Sequence, residues 1–249
     1  MCTLAVAVGA DRRWPLVVAA NRDERLGRAS ETWALRELAG GGRAAYPLDL
    51  EAGGTWLGVA ATGLLAALTN YHAPQGGFPD RSRRSRGELV PLALSRGNVA
   101  GARRALAGLD PSLHNPFHLL VLDGGGGFLL RNDGRAVALD ELGPGLHVVT
   151  ERDPQGRCPR GERVRARWPL DPSPARLREV LASHGEDGSE ATCIHLGAAY
   201  GTRSAAILRL APSAAHAELF AAEGPPCTAP FEDRSRLLGD LARSGGGSA

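Results

Sequence analysis

The order of hydrophobic patterns along the chain restricts its fold more than any other feature. Period-two runs come first, helical periods occupy the middle, and period-two runs return at the end. Residues 2–8 place Cys2, Leu4, Val6 and Val8 on one strand face and Thr3, Ala5 and Ala7 on the other, and residues 14–20 read as the hairpin partner. A second pair spans 55–60 and 64–71 across an Ala61-Thr62-Gly63 turn. Ser85-Arg86-Gly87-Glu88 has the form of a capping box before Leu89, Val90, Leu92 and Leu94, with Pro91 expected to kink or shorten that helix. Asn98 is placed to cap a second helix through Leu109. Strands are expected at 118–122, 128–131 and 135–139, and an irregular Arg-rich surface loop at 152–169. Next come a helix from Pro174, capped by Ser173 and with Gly185 past its end, strands at 191–196, 204–210 and 217–222, and a last helix at 233–243.

Strands, helices and strands in separate blocks argue against a doubly wound sheet and for an α+β architecture of antiparallel sheets. A four-layer αββα sandwich with two stacked antiparallel sheets satisfies the count, because each strand can bury one face on a second sheet and the other on helices. An eight-stranded barrel with appended helices is the competitor. The 249 residues are read as one domain over 1–243, followed by a disordered tail at 244–249.

No apolar run approaches the roughly 18 residues of a membrane helix, and the opening lacks the basic segment of a signal peptide. No membrane span is therefore expected, and the protein is read as cytoplasmic. A net charge of +2 and a basic run without interleaved aromatics argue against nucleic acid. All the basic side chains are Arg, with no Lys. That excludes a Walker-type phosphate loop, a Schiff-base lysine and a Ser-x-x-Lys nucleophile. Cys2, Cys158, Cys193 and Cys227 form no C-x-x-C pair, so neither a zinc site nor a disulfide framework is indicated.

Cys2 is small enough for Met1 to be removed in front of it. A terminal Cys would carry a thiol of pKa about 8.5 and an α-amine of pKa about 8 on one residue, which makes nucleophile and base together. By position alone the ordinary reading is a small buried hydrophobe. Four polar clusters stand at expected strand ends: NRDE at 21–24, TNYH at 69–72, SRGEL at 85–89 and YGTRS at 200–204. Asn70 ends an apolar strand, where its amide can donate to a forming oxyanion. Arg203, behind Gly201, would need an anionic partner if buried.

Taken in order, MCTL, NRDE, GGTWLGV, LTN, SRGELV, NPFHLLV and YGTRS resemble the pattern of NRDE-domain proteins, the transport and Golgi organisation protein 2 family. The resemblance runs from Cys2 to about Phe220. It implies an N-terminal-nucleophile (Ntn) hydrolase fold, most like the Cys-type penicillin V acylase and bile-salt hydrolase branch. It also implies Cys2 as nucleophile, Asp23 or Glu24 as anchor of the terminal amine, Asn70 as oxyanion donor and Arg203 as an arginine near the nucleophile. Asn21, Arg22, Trp56, His72, Arg86 and Tyr200, from the same motifs, are expected to bind substrate together with Glu151. Glu151 departs from the family, since Thr150-Glu151 stands where a Ser-Asn is usual. An ionised carboxylate there would oppose an oxyanion unless it lay outside the site or stayed protonated. The expected activity is hydrolysis of a C–N amide or thioester bond of a small acyl substrate, with no cofactor required.

The alternative is a non-catalytic carrier of haem or an acyl-coenzyme A-like ligand, since the family resemblance brings links to haem trafficking and lipid metabolism. Cys158 before Pro159, or Cys193-x-His195, would then be haem ligands. Arg81, Arg83, Arg84 and Arg86 before a helix start offer a third reading, an anion site for a phosphate-bearing ligand.

Overall fold

The computed structural model describes residues 2–72, 79–185, 191–213 and 216–245. The strands of its first half are β1 (Cys2–Val8), β2 (Leu16–Arg25), β3 (Ser30–Glu37), β4 (Arg43–Asp49), β5 (Leu57–Ala60) and β6 (Leu65–Asn70). Helices α1 (Leu89–Leu94) and α2 (Val99–Leu106) follow, then β7 (Phe117–Asp123), β8 (Gly126–Asn132), β9 (Val137–Leu142) and β10 (Gly145–Thr150). The chain continues through α3 (Pro159–Arg167), α4 (Pro174–Leu181), β11 (His195–Leu196), β12 (Tyr200–Leu210), β13 (Glu218–Ala222), β14 (Glu232–Asp233) and α5 (Ser235–Gly245).

Two antiparallel sheets result. One runs β10-β1-β2-β12-β13-β14, with β11 hooked onto β12, and the other runs β3 to β9 in sequence order. The period-two pattern explains why they stack. Leu4, Val6, Leu16 and Val18 of the first sheet meet Leu57, Val59, Leu65 and Leu120 of the second in a central core. Each such side chain contributes about 1.5–3 kcal/mol when fully buried. The other face of the first sheet packs on α3 and α4 through Ala5, Val148, Val164 and Val180 and through Val17, Ala19, Leu177 and Leu181. The outer face of the second sheet packs on α1 and α2 through Leu89, Val90, Leu94, Phe117 and Phe128. The layers are therefore α, β, β, α. Helix α5 adds Leu238 and Leu241 to the central core. Among the described residues no helix is long and apolar enough to cross a membrane.

Several elements differ from the sequence expectations. β3 and β4 were not anticipated, because β3 is half-exposed and β4 contains Pro47. The proline is tolerated where β4 has one partner, since β5 pairs only with Ala44 and Ala45. β10 was also missed. The stretch 152–169 is not a loop throughout, as it contains α3, with Pro159 in its first turn. Asn98 caps α2 by accepting from the Gly101 N–H at 2.7 Å. Ser85 and Ser173 make no side-chain cap, and the span expected as a strand at 191–196 is extended only at His195–Leu196. Of the expected tail, 244 and 245 close α5, while 246–249 fall outside the described residues.

Candidate active site

Antiparallel pairing brings the start of β1, the end of β2, the end of β10 and the start of β12 to one end of the first sheet. Cys2 is opposite Arg22, and Thr3 is opposite both Asn21 and Thr150. Opposed residues share a face, so Cys2 and Arg22 look into the space between the sheets. A cavity of about 330 Å3 opens there. Of the residues expected from sequence, Cys2, Arg22, Asp23, Glu24, Trp56, Asn70, Arg81, Arg83, Arg84 and Arg86 line it. Asn70 reaches it from the last position of β6 in the facing sheet.

Arg86 arrives by a close backbone approach. Thr55 N–H donates to Gly87 O at 3.0 Å. Gly54 has φ +102°, and a Cβ on it would sit 2.5 Å from the Gly87 carbonyl. The glycines of two sequence motifs thus let the 85–88 turn lie against the 53–55 turn. Arg86 is held there by donating to Pro116 O at 3.0 Å. Arg22 donates to Asp49 Oδ2 at 3.0 Å, and Arg28 donates to the same oxygen at 2.7 Å.

Burial pushes the Cys2 thiol pKa up and the charge of Asp23 adds to the rise, while a hydrogen bond with the Asp23 backbone and the charge of Arg22 pull it down without reversing it. Burial likewise lowers the Arg86 pKa, with Cys2 and Glu24 acting in the opposite sense. Arg22 and Arg86 are therefore cations that bear on the thiol.

Behind the strand pair lies a second charged group. Asp23 is 2% exposed and Glu151 is fully buried. Arg160, from α3, stands 3.0 Å from Glu151 Oε2 and 3.7 Å from Asp23 Oδ2. Thr202 Oγ1 donates to Asp23 Oδ1 at 2.6 Å. A register shift between Thr202 and Ser204 makes this possible. It sets Thr202 opposite Asp23 and Ser204 opposite Arg22, so one strand serves both faces. Burial raises the Asp23 pKa to about 7, against the lowering effects of Thr202 and Arg160. Two buried carboxylates thus share one guanidinium behind the strand pair.

The remaining expected residues stand around the cavity and not in its lining. Asn21 is buried and donates to Leu181 O and Thr192 O at 2.9 and 2.8 Å. Tyr200 Oη donates to Asp23 O at 3.0 Å, and burial pushes its phenol pKa up. His72 N–H donates to Glu151 O at 2.8 Å, tying the two sheets together. Arg203 is the inserted residue of the β12 irregularity. Cys158, at the N-cap of α3, lies 3.4 Å from Thr150 Oγ1. Neither it nor Cys193 or His195 lines the cavity.

Sequence reasoning missed Arg160, because its segment was read as a loop. Pro159 at a first helical position, with Arg160 and Val164 four apart on one face, was the available signal. It also missed Asp49 and Arg28, which stand in segments without a motif.

A family model described as Transport and Golgi organisation 2 matches residues 1–169. The Transport and Golgi organization protein 2 homolog of Bos taurus is 38% identical over 114 residues, 43% of this chain and 38% of that protein. The Homo sapiens homolog is 38% identical over 115 residues, with the same shares covered. The matched stretch thus spans well under half of these relatives. Solved structures with the same fold include a Caenorhabditis elegans N-acylethanolamine-hydrolyzing acid amidase ortholog, at TM-score 0.57 and 14% identity over 85% of this chain and 93% of that one. Penicillin V acylase from Agrobacterium tumefaciens superposes at TM-score 0.53 with 14% identity, over 95% of this chain and 88% of that one. Conjugated bile acid hydrolase from Clostridium perfringens, as its C2A mutant, gives TM-score 0.55 with 9% identity, over 96% and 94%.

Proposed function

The chain belongs to the Transport and Golgi organisation 2 family and has the Ntn-hydrolase fold, and from that premise we propose that it is a cysteine amidohydrolase cleaving a C–N amide, or a thioester, of a small acyl substrate. The observation that supports this best is the position of Cys2. It heads β1 and is 7% exposed in the wall of a cavity that also holds Arg22, Arg86 and Asn70.

In the proposed cycle Met1, which lies outside the described residues, is removed. The freed α-amine of Cys2 then takes the thiol proton, with the Asp23 carboxylate beside the strand end to hold the ammonium. The thiolate attacks the acyl carbon, and the carbonyl oxygen becomes an oxyanion that accepts from the Asn70 amide. The C–N bond breaks as the α-ammonium returns its proton to the leaving nitrogen. Water then hydrolyses the thioester, releasing a carboxylic acid and restoring the thiol. Arg22 and Arg86 favour the thiolate. One guanidinium at about 4 Å supplies on the order of 4 kcal/mol at an effective dielectric near 20, more than a one- to two-unit pKa change requires. Glu151 does not oppose the oxyanion in this reading, because Arg160 neutralises it behind the sheet.

A carrier that binds haem or an acyl-coenzyme A-like ligand is the second reading. It is favoured by the burial that keeps the thiol protonated. Intact-mass measurement during incubation with acyl-amide and acyl-thioester panels separates the two. Hydrolysis requires a mature chain beginning at Cys2, a transient acyl adduct, and product formation lost in Cys2→Ala. A retained Met1 would remove the Ntn mechanism, and a protein that binds ligand equally well in Cys2→Ala and turns over no substrate is a carrier.

A further inference from the structure

On the opposite edge of β12 from β2, four side chains outside the cavity converge: His184, Cys193, His195 and Cys227. One ligating atom from each lies within 4.8 Å of all the others. They come from three segments, namely the turn after α4, the chain entering β11, and the loop after β13. We propose that these four residues form a structural zinc site.

The separations are those of a tetrahedron around one ion. Zinc–sulfur bonds of about 2.3 Å and zinc–nitrogen bonds of about 2.0–2.1 Å require S···S edges of about 3.8 Å and S···N edges of about 3.5 Å. Cys193 Sγ lies 3.6 Å from Cys227 Sγ and 3.6 Å from His195 Nε2, and His195 Nε2 lies 3.3 Å from Cys227 Sγ. The three donors thus already stand at coordination spacing. His184 completes the set beside His195, with ring centroids 5.3 Å apart. His184 Nδ1 is 3.2 Å from Cys193 O, so the tautomer that donates to this carbonyl leaves Nε2 for the metal. Two thiolates and two imidazoles in a closed tetrahedral set select zinc, with no position left for a substrate. Binding releases two thiol protons to solvent and involves no electron transfer.

The ion would clamp the segment that supports the carboxylate behind Cys2. Thr192 O accepts from Asn21, and Ile194 N–H donates to Thr202 Oγ1, the hydroxyl that donates to Asp23. Cys193 lies between these two anchors. The clamp is therefore a positioning device two hydrogen bonds from Asp23, through Ile194 and Thr202.

Metal analysis on untagged protein, reconstituted with Zn2+ under reducing conditions and desalted, tests the proposal. The expected result is about one zinc per chain, lost in Cys193→Ser and Cys227→Ser and kept in Cys158→Ser. Co2+ in place of zinc should give the visible d–d bands of a tetrahedral site with thiolate-to-cobalt charge transfer. This measurement on the unaltered chain does not depend on any variant folding. A chelator should lower the Tm of the unaltered protein and leave that of Cys227→Ser unchanged. No retained zinc, octahedral cobalt spectra, or a Cys193–Cys227 disulfide formed in place of metal binding would overturn the assignment.

Discussion

Arg160 on α3 lies 3.0 Å from Glu151 at the end of β10, and both side chains are buried. This pair explains how an acidic residue is accommodated fully buried behind Cys2. The charge that Glu151 brings is met by a guanidinium held within one helical turn of Cys158. Gly161 permits the approach, since a Cβ there would lie 2.2 Å from Gly156 O. Arg152 reaches Glu151 only from the surface, at 3.6 Å.

Removing the guanidinium should leave two buried carboxylates short of a counter-charge. Arg160→Met is expected to lower stability in urea by about 3–5 kcal/mol, the cost of breaking a buried pair from one side. The double variant Arg160→Met, Glu151→Leu should recover much of that loss. A single-variant effect below about 1 kcal/mol would match an exposed pair and sink this account.

Stability should depend on pH through two buried groups acting in opposite directions. Asp23 has its folded pKa raised to about 7 from an ordinary value of about 3.9. Its contribution is therefore full below about 4 and is lost as pH rises through about 7. His118 Nδ1 donates to Thr150 O, 3.1 Å away, and burial lowers its pKa to about 4. Its contribution is full above about 6.5 and is lost as pH falls through about 4. Over about pH 4–6.5 the two slopes oppose each other, so chemical denaturation from pH 4 to 8 should show stability rising with pH across that range in Asp23→Asn, and stability falling between about pH 4 and 7 in His118→Gln, each more steeply than in the unaltered protein. Parallel curves for all three proteins would contradict both assignments.

The turn contact that seats Arg86 can be tested at neighbouring glycines. Gly54→Ala should cost about 1–3 kcal/mol and slow alkylation of Cys2, because the 85–88 turn must move. Gly53→Ala, at φ +62° with nothing within 4 Å of the added carbon, should cost about 1 kcal/mol and leave the alkylation rate unchanged. Equal thiol reactivity in both variants would separate Arg86 from the thiol.

What the sequence determined by itself is local and periodic. The alternation of Cys2, Leu4, Val6 and Val8 with small residues specifies a strand buried on both faces, and Asn98 and Pro174 mark helix starts, because side-chain direction and capping depend only on near neighbours. The motifs at strand ends likewise contain Cys2, Asp23, Glu24, Asn70 and Arg86. Tertiary structure decided which cations and ligands act together. Arg22 and Arg86, and not Arg203, line the cavity with Cys2. Arg160 serves Glu151 and Asp23 from a helix without a motif. His184, Cys193, His195 and Cys227 have no recognisable metal-binding spacing along the chain. Ion pairs and ligand sets are fixed by distances through space, which exist only once antiparallel pairing and helix packing have brought separate segments to the same place.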